Sequence, residues 1–276
     1  MAAIPTPLPN TGLFMTKSNI RNFALVLLLG SMSACSFIVR NNIYAVASEK
    51  TISLDRFPGS QIVRIDYNYR EVQGLFYEGG DRLVVIFHAA PTTLNGEIPT
   101  AIRFAERKNS VLLIEYPGYG VSKKYRPEEA DIYDDAEALL LQVQRKGNYY
   151  PDRTSVYGIS LGAAVAIEMV RREHATKLIC VAPFTSMHDL LHKRGIPAPI
   201  EALINSQSFN NLRKAPDIEC PVLIVSGKGD RTAPHSMALR LSEVFPNCEL
   251  LALESDRHYD IYKDFSDATW KRVLDF

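Results

Sequence analysis

The chain has 276 residues, with 31 lysines and arginines against 31 aspartates and glutamates and a formal net charge of zero. That length holds one large α/β domain with a full core plus an appendage, and nothing in the composition suggests disorder. Balanced charge without a long basic run excludes an electrostatic case for nucleic-acid binding. No repeat period, low-complexity tract or Cys/His cluster with metal-ligand spacing stands out, so neither a metal nor a cofactor is expected.

Residues 1–42 are expected to stand apart from the fold. Lys17 and Arg21 precede the apolar run Phe23 to Leu29, which ends in Gly30-Ser31-Met32-Ser33-Ala34-Cys35. A positive region, an apolar region and a small-residue cleavage region follow one another in the order of an export signal. The arrangement resembles the signal of bacterial lipoproteins, although Met32 stands where those signals usually have leucine. The resemblance implies cleavage before Cys35 and acylation of Cys35. Ser36, in place of an aspartate, is similar to the sorting pattern for an outer membrane, so the resemblance implies a cell-envelope protein facing the periplasm. Met15-Thr16-Lys17 opens a signal of more usual length than Met1 does. The competing expectation is an uncleaved single-pass anchor, because the uncharged run continues through Ser36-Phe37-Ile38-Val39. Either one tethers the chain to a membrane.

The domain is expected over residues 51–276. Gln61 to Asp66 and Val72 to Glu78 read as antiparallel entry strands closed by Gly79-Gly80-Asp81. Leu83 to Phe87 is continuously apolar, as a strand buried on both faces of a parallel sheet should be. It ends in His88-Ala89-Ala90-Pro91, and a helix on Ile98, Ala101, Ile102 and Ala105 follows. A second buried strand, Val111 to Glu115, runs into Tyr116-Pro117-Gly118-Tyr119-Gly120. A long helix from about Pro127 to Arg145 is acidic at its start and apolar on Ile132, Ala136, Leu139, Leu140 and Val143.

Next, Thr154 to Tyr157 reads as a short strand, and from Leu161 to Arg172 apolar residues recur at helical spacing. Between them Gly158-Ile159-Ser160-Leu161-Gly162 places a serine at a strand-to-helix junction, where the flanking glycines allow a sharp turn and close packing. Lys177 to Ala182 is the next strand. Residues 183–218 carry helical pieces without a strand pattern and are expected to form a small cap. The strand Pro221 to Ser226 leads to Gly227-Lys228-Gly229-Asp230, then come a helix opened by Pro234, a strand from Glu249 to Leu253, His258 and a final helix with Trp270 and Val273. Strands alternating with helices predict a mostly parallel, doubly wound sheet.

Reactive groups in such sheets gather at the carboxyl ends of the strands. Ser160, Asp230 and His258 meet that condition in that chain order. A serine hydroxyl needs an imidazole to take its proton, and a carboxylate must hold that imidazole in the right tautomer. Asp256 and Asp260 are rival acids. Each lies two residues from His258 and aligns poorly with the far ring nitrogen, so both are expected to cap or orient the last helix. His88 closes a buried strand and reads as a residue that braces its loop.

Together, Tyr116-Pro117-Gly118-Tyr119-Gly120, Gly158-Ile159-Ser160-Leu161-Gly162, Pro183-Phe184-Thr185-Ser186, Cys220-Pro221-Val222-Leu223-Ile224, Gly229-Asp230 and His258 with Asp260 carry a resemblance. From about residue 60 onward the chain resembles the small single-domain serine hydrolases of the α/β-hydrolase superfamily, which include protein depalmitoylases and related membrane-tethered esterases. The resemblance implies an eight-stranded, mostly parallel sheet with helices on both faces. It also implies a serine nucleophile at Ser160, an acid at Asp230 and a base at His258. The substrate does not carry over with the resemblance; the ordered triad candidates and the short cap lead to the expectation of a small or lipid-like acyl ester or thioester. By the same resemblance the oxyanion hole consists of the backbone N–H groups of Leu161 and Ala90, with Ala89 where relatives usually have glycine. A negative φ at Ala89 is expected. Peptidase or amidase action on the same fold, or a catalytically silent binding protein, are the alternatives. Cys220 and Cys248 each lie at a strand start, where two unpaired thiols are expected and a disulfide is the alternative.

Overall fold

The computed structural model describes Ile43, Tyr44, Glu49 and residues 51–196 and 206–276. The segment expected to act as a tether, with Cys35, and residues 197–205 of the expected cap lie outside the described residues. Strands β1 (Ser60–Tyr67) and β2 (Arg70–Tyr77) form an antiparallel hairpin in register from Ser60↔Tyr77 to Tyr67↔Arg70. Its two turn residues, Asn68 and Tyr69, both have positive φ (45° and 62°), as a two-residue turn of matching twist requires. The other strands are β3 (Leu83–Phe87), β4 (Ser110–Ile114), β5 (Thr154–Ile159), β6 (Lys177–Val181), β7 (Val222–Gly227) and β8 (Cys248–Leu253). The sheet order is β1-β2-β4-β3-β5-β6-β7-β8, antiparallel from β1 through β4 and parallel thereafter. This is the expected eight-stranded, mostly parallel sheet.

The helices are α1 (Ile98–Glu106), α2 (Glu129–Gly147), α3 (Leu161–Arg171), α4 (Met187–Lys193), α5 (Asn211–Lys214), α6 (His235–Val244) and α7 (Asp267–Asp275). They cover both faces, and β3 shows why its sequence is unbroken hydrocarbon. Leu83, Val85 and Phe87 join a core cluster with residues of α2, α3 and α6, whereas Val84 and Ile86 join a second cluster with Phe104 of α1 and Trp270 and Val273 of α7. Alternate side chains serve alternate faces, so no position is left for a polar residue. Helix α2 begins and ends two residues later than expected. Glu129 and Asp131 occupy its first turn, Arg145 and Lys146 its last, and Asn148 ends it in the left-handed conformation with φ 54°, where asparagine is tolerated.

Two polar clamps fix elements beside the sheet. Arg70 forks onto Asp135 through Nη2 at 2.7 Å and Nε at 3.0 Å, joining the hairpin to α2. Glu168 of α3 is only 3 % exposed and meets Arg171, Arg172 and Lys214, the last at 2.7 Å from α5. Burial alone raises its carboxyl, but hydrogen bonds from Arg171 and Lys214 outweigh that and hold it at about 2. Helix α5, in the cap region, is thereby pinned to the body, helped by Asn211 Nδ2 donating to the Phe184 carbonyl at 2.9 Å.

Two expectations are settled or corrected here. Cys180, Cys220 and Cys248 are free thiols. Cys248 pairs in register with Val222, two residues beyond Cys220, so the alternative bridge is not made. Asp260 does not cap the last helix; its carboxylate meets Arg257 at 2.9 Å and Lys263 at 3.0 Å. The cap of α7 is Ser266, whose hydroxyl accepts from the Thr269 N–H at 3.1 Å, because a short side chain next to the free N–H groups suits that role better.

Candidate active site

Ser160 sits between the end of β5 and the start of α3 with φ 54° and ψ −110°, a backbone state that side chains other than glycine rarely adopt. The neighbouring glycines explain how it is held there. A Cβ on Gly158 would stand 2.1 Å from the Gly162 carbonyl oxygen, and one on Gly162 would stand 2.1 Å from the Phe87 carbonyl oxygen. Only hydrogen at both positions lets α3 start this close to β5 and β3. The Ser160 N–H donates to the Val181 carbonyl of β6 at 2.9 Å, which ties the strained residue to a central strand.

Ser160, His258 and Asp230, which are 98 and 28 residues apart along the chain, form one hydrogen-bonded line. His258 Nε2 lies 2.8 Å from Ser160 Oγ, and His258 Nδ1 lies 2.5 Å from Asp230 Oδ2. All three are buried, at 5 to 6 % exposure, so water competes little for these contacts. The other carboxylate oxygen, Asp230 Oδ1, accepts the N–H groups of Thr232 at 2.8 Å and Ala233 at 3.0 Å. Those two donors aim Oδ2 at the imidazole. A carboxylate accepts, so Nδ1 carries the proton and Nε2 presents its lone pair to the serine. Of the three acids weighed from sequence, Asp230 is the one brought to the histidine, and Asp260 is held by Arg257 and Lys263.

The loop after β3 supplies the second half of the site. The Ala89 carbonyl is approached by three groups, His88 Nδ1 at 2.9 Å, Thr92 Oγ1 at 3.0 Å and the Thr92 N–H at 3.1 Å. Because a trans peptide places C=O and N–H on opposite sides, pinning that carbonyl turns the Ala90 N–H the other way. Ala90 and Leu161 line the pocket that contains Ser160. Neither residue's N–H donates a backbone hydrogen bond among the described residues, and Leu161, first residue of α3, has no acceptor within its helix. Ala89 is absent from the residues of positive φ, so alanine fits where relatives usually have glycine.

His88 braces this loop. Its ring stacks on Tyr116 at 3.9 Å between centroids, the Tyr116 hydroxyl donates to the His88 carbonyl at 3.0 Å, and Nε2 stands 3.0 Å from Glu115 Oε1. Sequence reasoning passed over Glu115, although a carboxylate closing a buried strand was a usable signal. It also passed over Tyr259, which packs edge-on against His258 at 4.5 Å and lines the pocket, and Ile43, which lines it too. Among the described residues no three His, Cys, Asp or Glu side chains are grouped to hold a metal ion.

Sheet order, strained serine turn and residues gathered at the strand ends give the chain the α/β-hydrolase fold, and its sequence is similar to members of the α/β-hydrolase superfamily. The model of the family described as serine aminopeptidase S33 matches residues 80–208. An uncharacterized protein of Mycobacterium tuberculosis is 30 % identical over 132 residues, covering 48 % of this chain and 46 % of that protein. Human alpha/beta hydrolase domain-containing protein 17B is 28 % identical over 156 residues, covering 55 % and 51 %. The chain thus spans about half the length of these curated relatives. Among solved structures, the Pyrococcus furiosus esterase Pf2001 superposes with a TM-score of 0.67 at 19 % identity, over 83 % of this chain and 96 % of that one.

Proposed function

We propose that the protein is a serine hydrolase that cleaves a carboxylic ester or thioester through an acyl-serine intermediate. The observation that carries this reading is the continuous line from Ser160 Oγ through His258 to Asp230, at 2.8 and 2.5 Å, opening on a pocket. Ser160 Oγ attacks the acyl carbon while His258 Nε2 takes its proton, and Asp230 stabilises the imidazolium that results. The N–H groups of Ala90 and Leu161 bind the developing oxyanion. The tetrahedral intermediate then expels the alcohol or thiol, which leaves with the proton held by His258. Water, deprotonated by His258, attacks the acyl-serine and releases the carboxylic acid and the free hydroxyl. A fluorophosphonate probe is expected to label the folded protein and to leave Ser160→Ala unlabelled. A folded wild type that resists the probe overturns the reading. The description of the matching family favours one other substrate class, amides, and relative turnover of matched p-nitrophenyl esters and p-nitroanilides separates the two.

The same reading places the enzyme on a bacterial envelope membrane through acylated Cys35, with an uncleaved anchor as the other form of tether. Among the described residues no helix is long and apolar enough to cross a membrane, which leaves tethering to the N-terminal segment. Ile43 lies in the pocket, and the eight residues from Cys35 to Ile43 reach at most roughly 29 Å when fully extended. A lipid at Cys35 therefore keeps the pocket close to the membrane surface. Precursor is expected to accumulate with globomycin or in Cys35→Ala; normal processing under both conditions removes the lipoprotein assignment.

A further inference from the structure

Ile43 comes from the stretch just beyond the tether, outside the sheet, yet it stands beside the nucleophile. It is 4 % exposed and lines the same pocket as Ser160, Ala90 and Leu161, facing Phe184, Met187 and Leu190. Its position is fixed by its neighbour. The Tyr44 carbonyl accepts the Tyr119 hydroxyl at 2.6 Å, the Tyr44 hydroxyl donates to Gln207 Oε1, and its ring meets Phe209 edge-on at 6.2 Å. With Tyr44 held from three directions, Ile43 is a placed wall of the pocket.

The space this wall leaves is small, about 20 Å³, room for roughly one water molecule. Both oxyanion donors and the serine open on it, so an acyl chain attached to Ser160 has to share it with Ile43, Phe184, Met187 and Leu190. Phe184, Met187 and Leu190 belong to the body and to α4, whereas Ile43 is the contribution of the N-terminal segment. Resting on the reading of Ser160 as nucleophile, we propose that Ile43 is a specificity-determining residue that limits the acyl group to short chains. Ile43, which precedes the sheet in the chain, thus forms one wall of the acyl pocket.

One methylene in an apolar pocket changes discrimination by roughly 10- to 200-fold, and Ile43→Ala removes three carbons. The test is the ratio of kcat/KM for p-nitrophenyl octanoate to that for the acetate, with Ser160→Ala as the blank. Wild type is expected to favour acetate. Ile43→Ala is expected to raise the octanoate-to-acetate ratio at least roughly tenfold, Ile43→Val to raise it less, and Ile43→Trp to lower it. Ile43→Val loses a single methyl group and guards against a misfolded alanine variant. A wild type that already prefers octanoate, or an unchanged ratio in folded Ile43→Ala and Ile43→Val, overturns the proposal while leaving Ser160 as nucleophile. If no ester is turned over above the Ser160→Ala blank, the hydrolase reading itself fails, and the proposal with it.

Discussion

Two buried histidine–carboxylate pairs stand at the carboxyl ends of the strands, and they differ in what the imidazole has left to offer. In His258–Asp230 the carboxylate takes Nδ1, and Nε2 is turned to a serine hydroxyl at 2.8 Å. In His88–Glu115 the Nδ1 proton goes to the Ala89 carbonyl at 2.9 Å, and Nε2 faces the carboxylate at 3.0 Å without hydrogen-bond alignment. Nδ1 of His88 is thus taken by the backbone, Nε2 faces a carboxylate and no hydroxyl, and the ring is clamped against Tyr116. The same two side-chain types turn an imidazole nitrogen to a serine hydroxyl in one place and brace a loop in the other. What decides the role is the partner of the second ring nitrogen, which composition and spacing do not reveal.

The comparison breaks or sharpens on five substitutions. The largest effect is expected for Asp230→Asn, which keeps the shape but reverses the tautomer of His258; kcat on a short p-nitrophenyl ester should fall about 10⁴-fold. Ala90→Pro deletes the proposed oxyanion donor and should cost at least roughly a hundredfold in kcat, whereas Ala89→Gly should change little because Ala89 is not held at positive φ. Glu115→Gln perturbs only the brace, so about a tenfold loss in kcat is expected, with a lower melting temperature. A loss as large as that of Asp230→Asn would erase the distinction between the pairs.

The smallest effect on activity is expected at Glu97, another buried carboxylate, whose side-chain partner among the described residues is the Thr100 hydroxyl. It is 1 % exposed, and burial pushes its carboxyl up from 4.5 to about 8, only partly offset by Thr100. The folded state then holds a proton that the unfolded chain releases between these values. Stability from this group is complete below about pH 4.5 and declines as pH rises through about 8. Glu97→Gln carries no such proton. Its melting temperature should match wild type near pH 5 and exceed it at pH 8.5, by a stability on the order of 4 kcal/mol, with kcat nearly unchanged. Equal pH dependence in the two proteins would show that Glu97 ionises freely in the fold.

Much of the molecule was legible before any coordinates. Each observed strand lies within two residues of its expected bounds, because burial on one or both faces writes a period of two or an unbroken apolar run into the chain. Ser160 was legible from the Gly-x-Ser-x-Gly spacing, but only the Gly158 clash is local, with Gly162 four residues on; Gly162 is needed because the fold brings the Phe87 carbonyl against it. Sequence by itself could order Ser160, Asp230 and His258 at strand ends, but it left Asp256 and Asp260 as rivals. Choosing among them took the loop path that brings His258, 28 residues further on, to Asp230, whose other oxygen is held by Thr232 and Ala233 of its own turn. The same holds for Glu115, seen only as the end of a strand, and for Ile43, which fell between a tether and a domain. Periodicity and turn chemistry are written in neighbouring residues. Which side chains meet across dozens of positions is set by sheet order and loop path, and only the folded chain decides that.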